Sequence, residues 1–137
     1  MRVLHPQRWR DPLWKMLATL ERFWKCSTGC NCYLTPPDSQ GFSPHFDDID
    51  AFILQLEGKK VWKVYAPRSE AEMLPRYSSP NFDQHEIGDP VLEVVLEAGD
   101  MLYMPRGTLH QASCVPGAHS LHVTVSKPLT ETLHSKP

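Results

Sequence analysis

The sequence has little surplus of charge of either sign. Its 137 residues include 14 lysines and arginines against 16 aspartates and glutamates, which gives a formal net charge of -2 at pH 7. Such a balance provides no general attraction to nucleic acid or to a membrane surface. A basic stripe and a helix-turn-helix signature are also missing. A DNA-binding chromatin protein is therefore the least favoured function class.

An apolar leader, internal repeats and low-complexity tracts are missing as well. Residues 1–10 are basic and contain Pro6, which is unlike a secretory leader. No linker divides the chain, and 137 residues are enough for one hydrophobic core but not for two ordinary domains. We therefore expect an intracellular protein in which residues 1–137 form a single domain.

The four cysteines do not form a pattern that is specific for a metal site. Three of the four cysteines, Cys26, Cys30 and Cys32, lie within seven positions, which leaves a zinc site as an alternative. A second pair with the spacing of zinc ligands is missing, and Cys32 falls inside a predicted strand. Free reduced thiols are the favoured interpretation, as is usual inside cells.

Proline is abundant, and it marks the ends of extended segments. The chain has 13 prolines, more than the average usage of about 5%. Residues 11–24 carry apolar side chains at helical spacing, with Pro12 suited to a first helical turn, so an amphipathic helix is predicted there. Extended patterning between turn signals predicts strands in these ranges: 31–35, 43–56, 60–65, 91–96, 101–105, 108–114 and 121–126.

The arrangement of these predicted strands favours a barrel. Residues 43–56 and 60–65 are separated by Glu57 and Gly58, which predicts a hairpin. Residues 66–87 are rich in Ser, Pro, Asn and Asp and lack a period, so we interpret them as a surface insertion without a central part in function. One helix beside about seven or eight short strands predicts a mainly β fold, a double-stranded β-helix of the jelly-roll kind.

A histidine and an aspartate stand two positions apart on one predicted strand. A strand has a period of two, so the side chains of His45 and Asp47 point to the same face and can share one ion. A facial Fe(II) site needs two histidines and one carboxylate, because that set leaves coordination positions open for other ligands. His110 is the best candidate for the second histidine, since it follows a predicted turn at residues 104–107 and lies near the start of another predicted strand. The sequence therefore predicts that these three residues bind Fe(II).

The remaining histidines carry weaker signals. An H-x-D triplet alone occurs by chance, and a single histidine on a strand is more often a core or surface residue, so the metal interpretation depends on the distant His110 and its strand context. His119 and His122 lie near the closing strand and are candidates for lining the pocket. No such context surrounds the other three, His5, His85 and His134.

Five motifs follow one another between residues 31 and 126. They are Y-L-T-P-P-D-S-Q-G-F, H-F-D-D, L-Q-L-E-G, S-S-P-N-F and P-R-G-T-L-H-Q-A. In this order and spacing they resemble the JmjC ribosomal oxygenases, in particular their nucleolar branch. The resemblance implies a cupin-like barrel that uses Fe(II) and 2-oxoglutarate to hydroxylate a histidine side chain of a ribosomal protein. It also implies a nuclear, nucleolar location, and it leaves demethylation of a histone H3 lysine as an alternative activity.

The resemblance also assigns ligand-binding roles to individual residues. It implies that the iron ligands are His45, Asp47 and His110, in agreement with the spacing argument. It implies that Lys60 anchors the far carboxylate of 2-oxoglutarate, which would otherwise be an unpaired charge inside the barrel. Lys59 is the competing cation and would face the other way on the strand.

Further residues match pocket positions of the family. The resemblance implies that Asn31 contacts the cosubstrate, and that Tyr33 and Ser126 hold the target chain within reach of the reacting centre. Arg2 matches a basic residue on the substrate side. Met104 departs from the family pattern, because an aromatic residue is usual there.

The chain is shorter than family members, which continue beyond the barrel into a helical dimerisation region and a winged-helix-like domain. This sequence ends at Pro137, so we expect a fragment or short form of the catalytic core without the dimerisation region. The expected partner is a protein substrate, a ribosomal protein or a histone H3 tail, with no direct nucleic-acid or membrane partner. A catalytically weak metal-binding cupin module is a further alternative.

Overall fold

Eight β-strands, one α-helix and three short 3-10 turns make up the part of the chain that the computed structural model describes, residues 1–39 and 41–128. The strands are β1 (Arg2–Leu4), β2 (Gly29–Thr35), β3 (Phe42–His45), β4 (Asp50–Tyr65), β5 (Pro90–Glu97), β6 (Met101–Met104), β7 (Leu109–Cys114) and β8 (Ser120–Lys127). The helix α1 spans Asp11–Trp24, and the 3-10 turns cover Pro6–Arg8, Glu70–Glu72 and Gln84–Glu86. Gln40, His134 and the end of the predicted domain, residues 129–137, lie outside the described residues.

The strands form a curled antiparallel sheet. Its hydrogen-bonded order is β1-β2-β8-β4-β7-β3, and β5 and β6 each pair with β4 as well. This architecture confirms the predicted mainly β fold with one short helix. The sequence pattern does not predict β1, because three residues are too few to show a period.

β4 is one continuous strand of 16 residues, so the predicted hairpin of 43–56 and 60–65 is wrong. Its first half pairs with β6 and β8, and its second half pairs with β5 and β7. The register against β8 shifts between Gln55 and Glu57, and Gly58 has a φ of 63°. A bulge bends a strand without ending it. Glu57 and Gly58 therefore form a corner of the barrel, and β3 pairs with β7 instead.

The helix α1 packs against β2 and β8. It has the bounds that the sequence predicts, with proline in its first turn and Lys25 in a left-handed conformation after its last residue. Leu17, its buried residue, packs with Cys30 of β2 and with Val123 and Val125 of β8. Neither α1 nor any other helix within the described residues is long and apolar enough to cross a membrane.

The cysteines are free thiols, as the sequence interpretation favours. In the described part of the chain, none of them belongs to a group with metal-binding geometry. Burial raises the pKa of Cys30 to about 11, and the neighbouring Cys32 adds to the rise. Because the thiolate is the metal-binding form, a thiol with so high a pKa is a poor ligand at neutral pH.

The interior of the barrel contains polar as well as apolar side chains. The apolar cluster consists of Ala51, Ile53, Trp62, Leu96, Met104 and Ala112. Five polar side chains are also buried within the described residues, and three of them, Gln55, Lys60 and His122, have exposed fractions of 1%, 0% and 2%. Lysine is almost never fully buried unless it is paired, because removing a charge from water is costly. The buried polar side chains therefore make the interior of the barrel the candidate location of a functional site.

Candidate metal centre

Three potential metal ligands meet where two neighbouring strands pair. His45 is the last residue of β3, and His110 is the second residue of β7. The prediction that Asp47 shares the strand of His45 is wrong, because Asp47 lies two positions beyond the end of β3, in the connection to β4. His45 and His110 stand opposite each other in the antiparallel register of β3 and β7. Their ring centroids are 4.5 Å apart. The structure thus brings together the three side chains that the sequence predicts to share an ion.

One ligand atom from each of these side chains lies within 4.8 Å of the other two. Oδ2 of Asp47 is 4.0 Å from Nε2 of His45 and 4.0 Å from Nε2 of His110. These separations exceed the length of a hydrogen bond. The three atoms therefore lie close together, but Asp47 forms no hydrogen bond with either histidine. Two imidazoles and one carboxylate are the ligand set of a facial Fe(II) site. Within the described residues, no other group of three has this geometry.

The second nitrogen of each imidazole is already engaged. Nδ1 of His45 lies 2.8 Å from the carbonyl oxygen of Ser43, and Nδ1 of His110 lies 2.8 Å from that of Thr108. A carbonyl oxygen only accepts hydrogen bonds, so both Nδ1 atoms must carry the proton and donate it. The free lone pair of each ring is then on Nε2, the atom that faces Asp47. Metal-binding histidines are commonly oriented by such a hydrogen bond from the other ring nitrogen.

Burial favours the neutral form of His110. The residue is 6% exposed. Burial lowers the pKa of His110, and His45 lowers it further, against opposing effects of the Thr108 carbonyl and of Asp47. The neutral imidazole is the form that binds a metal ion, so His110 is ready to act as a ligand at neutral pH.

Lys60 is a second unusual feature of the interior. Its side chain is completely buried, and Nζ donates one side-chain hydrogen bond, 3.1 Å long, to Oγ1 of Thr35. Nζ also lies 5.9 Å from the ring centre of Phe42 and 5.8 Å from that of Trp62. Burial lowers the pKa of Lys60, with a smaller opposing effect of Cys114. No carboxylate in residues 1–39 and 41–128 forms an ion pair with it. A buried cation with so few partners is suited to bind an anion.

His122 and Trp62 place further unpaired polar atoms in this interior. Nδ1 of His122 and Nε1 of Trp62 are buried, and neither has a hydrogen-bond partner among the described residues. The His122 ring stacks on Tyr33 at 4.9 Å and meets Trp62 edge-on at 5.5 Å. Burial, assisted by the charge of Lys60, lowers the pKa of His122 to about 3, so this imidazole is neutral at pH 7. An unsatisfied buried polar atom costs about 1–3 kcal/mol, and a polar ligand would relieve that cost.

Two adjoining cavities contain these groups. The first, of about 150 Å³, is lined by the three candidate metal ligands together with His122. The second, of about 330 Å³, is lined by Lys60. Arg2, Tyr33 and Phe42 line both, so the two cavities adjoin at these side chains. Two of the residues that the family resemblance implicates, Arg2 and Tyr33, therefore lie at the candidate site.

Asn31 and Ser126, the other two implicated residues, are not part of either cavity lining. Asn31 stands opposite Thr124 in the register of β2 and β8, and Thr124 lines the first cavity. Ser126 follows Thr124 by two positions on β8, so both side chains lie on the same face of the strand. Asn31 and Ser126 are therefore next to the site, and their roles stay predictions.

The competing basic residues lie on the outside. Lys59 pairs with Glu97 and is half-exposed, so Lys60 is the inward cation of the two, as strand alternation predicts. His119 is exposed, with Nε2 3.4 Å from Oε2 of Glu57. Of the two histidines near the closing strand, only His122 lines the cavity.

Thr35 and Trp62 are further residues of the site, for which the sequence motifs predicted no role. Thr35 is the hydrogen-bond partner of Lys60, and Trp62 lines the first cavity. The period of a strand would have found both, because Thr35 follows Tyr33 by two positions and Trp62 follows Lys60 by two.

A family model described as the JmjC domain matches residues 2–133. The chain belongs to the JmjC domain family. This finding confirms the family resemblance inferred from the motifs. The match begins at the first residue of β1 and extends over every strand of the barrel.

Curated relatives of this JmjC domain include enzymes with two named activities. One is the bifunctional lysine-specific demethylase and histidyl-hydroxylase NO66 of Aedes aegypti, which is 63% identical over 126 residues. Another is ribosomal oxygenase 1 of Homo sapiens, which is 56% identical over 126 residues. Each alignment covers 92% of this chain and 20% of the relative. The chain thus spans about a fifth of the length of these relatives.

Solved structures with a similar fold include the Escherichia coli protein ycfD. The JmjC domain matches one ycfD structure with a TM-score of 0.62 and 24% identity, over 94% of this chain and 34% of that chain. A second structure, of this ribosomal oxygenase in complex with cobalt and 2-oxoglutarate, has a TM-score of 0.58 at 24% identity, over 94% and 32%. These similarities confirm the fold of the barrel.

Proposed function

We propose that this JmjC domain is the catalytic core of an Fe(II)- and 2-oxoglutarate-dependent dioxygenase that hydroxylates a histidine side chain of a ribosomal protein. The observation that carries the proposal is the convergence of His45, Asp47 and His110 in a cavity next to the buried ammonium of Lys60. The names of the relatives, ribosomal oxygenase and histidyl-hydroxylase, describe the same class of reaction.

The three convergent side chains fit Fe(II). Nε2 of His45, Nε2 of His110 and the carboxylate of Asp47 would hold the ion. Two nitrogen donors and one oxygen donor on one face leave positions open for a bidentate cosubstrate and for dioxygen. The hydrogen bonds from both Nδ1 atoms to backbone carbonyls would keep the rings oriented.

The buried Lys60 fits 2-oxoglutarate, which has a second carboxylate at the end remote from the metal. That carboxylate would accept hydrogen bonds from Nζ of Lys60 and from the hydroxyl of Thr35, two groups that are 3.1 Å apart. A charge-assisted pair offsets the cost of keeping both charges out of water. Asn31 is proposed to contact the cosubstrate from β2.

When bound, Fe(II) and 2-oxoglutarate supply the oxidising chemistry, in which one oxygen atom of dioxygen enters the substrate and the other enters succinate, with loss of carbon dioxide. The protein contributes placement. Tyr33, Phe42 and Trp62 contribute aromatic rings to the cavity lining. Tyr33 and Ser126 are proposed to hold the target chain near the metal, and Arg2 to contact it from the side of β1.

The substrate is proposed to be a basic ribosomal protein, met in the nucleus or nucleolus. A net charge of -2 suits a basic partner but does not single one out. A histone H3 tail is equally basic, and the name of the Aedes aegypti relative includes a lysine-specific demethylase. Demethylation of a histone lysine is therefore the second candidate function.

A competition experiment distinguishes the two reactions. The chain is incubated with Fe(II), 2-oxoglutarate and ascorbate, together with a ribosomal histidine peptide and a trimethyl-lysine histone H3 peptide. We expect mass spectrometry to detect a gain of about 16 Da on the ribosomal peptide, as the insertion of one oxygen requires. Omission of 2-oxoglutarate is the matched control and should abolish the shift.

The other outcomes decide between the alternatives. A loss of about 14 Da from the histone peptide, without hydroxylation, would make demethylation the main activity. The absence of both products from a folded, metal-loaded sample would favour a metal-binding module that needs other parts of a longer protein to capture its substrate.

A further inference from the structure

The segment that carries Asp47 lies between two strands and outside the strand pairing. β3 ends at His45 and β4 begins at Asp50. The backbone N–H of Phe46 donates to Oγ of Ser79 at 2.9 Å, and the N–H of Ser79 donates to the carbonyl of Phe46 at 2.9 Å. Buried backbone polar groups need partners, so Ser79 takes the place of a neighbouring strand at this point.

Ser78 engages the backbone on the other side of Asp47. The N–H of Asp48 donates to Oγ of Ser78 at 3.2 Å, and this hydroxyl donates to Oδ1 of Asp48 at 2.8 Å. The carbonyl of Asp47 itself accepts a hydrogen bond from the N–H of Gly107 at 2.9 Å. Both peptide groups that flank Asp47 are therefore held by hydrogen bonds from distant segments of the chain.

The same contact continues towards His45. The N–H of Phe82 donates to the carbonyl of Pro44 at 2.8 Å. The rings of Phe46 and Phe82 are 6.0 Å apart, and both side chains are buried in an apolar cluster with Tyr65 and Leu109. Residues 78–82 thus lie alongside residues 44–48, and the two segments share a buried contact between Phe46 and Phe82.

We propose that Ser78 and Ser79 are positioning residues of the metal centre. Their hydroxyls hold residues 46–48 so that the carboxylate of Asp47 faces Nε2 of His45 and Nε2 of His110. The proposal rests on the function proposed above, because it requires these three side chains to bind a metal ion.

The physical basis is the short reach of an aspartate. Only two side-chain torsions separate its backbone from its carboxylate, so the position of the carboxylate follows that of the peptide groups of residues 46–48. His45 and His110 are fixed by strand pairing and by their Nδ1 hydrogen bonds. Asp47 lies outside the strands and has no such support. The two serines supply it from the S-S-P-N-F motif, which lies within the predicted surface insertion of residues 66–87.

Cobalt(II) provides a test that does not depend on turnover. The 137-residue chain is titrated with Co(II), with the dissociation constant measured by calorimetry and the coordination geometry followed by visible absorption. The variants are Ser78→Ala, Ser79→Ala, the double variant and Ser79→Thr, which keeps a hydroxyl. Ser69→Ala is the matched control, because Ser69 lies in the same segment and precedes a 3-10 turn that its side chain does not cap by a hydrogen bond.

We expect the double variant to bind Co(II) about 10-fold to 100-fold more weakly than wild type, as is usual when groups that orient a ligand are removed. Its absorption bands should also shift, because Asp47 would no longer approach the ion at the same angle. Ser79→Thr should bind Co(II) with most of the wild-type affinity, because it keeps a hydroxyl. Ser69→Ala should bind Co(II) as wild type does.

A double variant with the wild-type dissociation constant and spectrum would overturn the positioning role, even if its melting temperature falls. If the double variant does not fold, the two single alanine variants are judged by the same criterion. Failure of the wild-type chain to bind Co(II) would instead overturn the metal centre itself.

Discussion

Lys60 is the residue whose environment is least typical of its side chain. Its ammonium group is fully buried, with one hydroxyl partner and two aromatic rings at nearly 6 Å. At that distance the attraction between a cation and an aromatic ring is close to its limit. These neighbours therefore offset little of the free-energy cost of burying the charge. An anionic ligand would offset more of it.

Replacing this lysine should weaken the binding of 2-oxoglutarate. We expect Lys60→Ala to raise the dissociation constant of 2-oxoglutarate at least about tenfold, because a charge-assisted hydrogen bond contributes about 1.5–3 kcal/mol. Calorimetry on the Mn(II)-loaded chain measures it without turnover. Lys59→Ala is the matched control, since Lys59 pairs with Glu97 on the outside. A raised constant in Lys59→Ala with an unchanged one in Lys60→Ala would transfer the role to Lys59.

At the scale of the elements, the corner of β4 decides which residues share a cavity. Before the corner β4 pairs with β6 and β8, and after it with β5 and β7. Ala51 and Ile53 therefore line the same cavity as Trp62, which lies beyond the bend. Gly58 makes the bend compatible with close packing, since a Cβ there would lie 1.9 Å from the carbonyl oxygen of His119.

A side chain at this corner should be poorly tolerated. We expect Gly58→Ala to lower the free energy of unfolding by about 3 kcal/mol or more, through a left-handed backbone and a clash with the chain at His119. Gly117→Ala is the control, because Gly117 has a φ of 71° and open space around it, and should lose only about 1 kcal/mol. Urea unfolding measures both. Similar losses in the two variants would mean that the corner relaxes without strain.

The sequence predicted some elements better than others. The bounds of α1 agree with the prediction because helical spacing and a proline in the first turn are local signals. The hairpin prediction failed because a glycine after a polar residue is as compatible with a tight turn as with a bulge. The pairing of β4 with four other strands selects the bulge over the turn. No local sequence pattern contains information about that pairing.

At the scale of the whole molecule, the candidate ligands join parts of the chain that are distant in sequence. His45 and His110 come from β3 and β7, and Asp47 is held by a segment that follows β4. An ion that binds only this folded arrangement stabilises it by mass action, by about 2.7 kcal/mol at a hundredfold excess over its dissociation constant.

Metal should therefore raise the melting temperature of the chain. We expect Mn(II) to stabilise the wild type in a thermal unfolding experiment and to have no such effect on His110→Ala, which lacks one of the three ligands. His119→Ala should respond as wild type, because His119 is exposed and contacts Glu57. An equal rise in melting temperature for wild type and His110→Ala would contradict the ligand assignment.

The face of a strand on which a side chain lies follows from local sequence. The period of two is a local property of extended backbone, so it separates the buried Lys60 from the exposed Lys59 without knowledge of the fold. The pairing of the strands, in contrast, depends on contacts between distant parts of the chain. His110 stands opposite His45, and residues 78–79 hold the backbone around Asp47, because hydrogen bonds and apolar contacts between distant segments select one pairing among many.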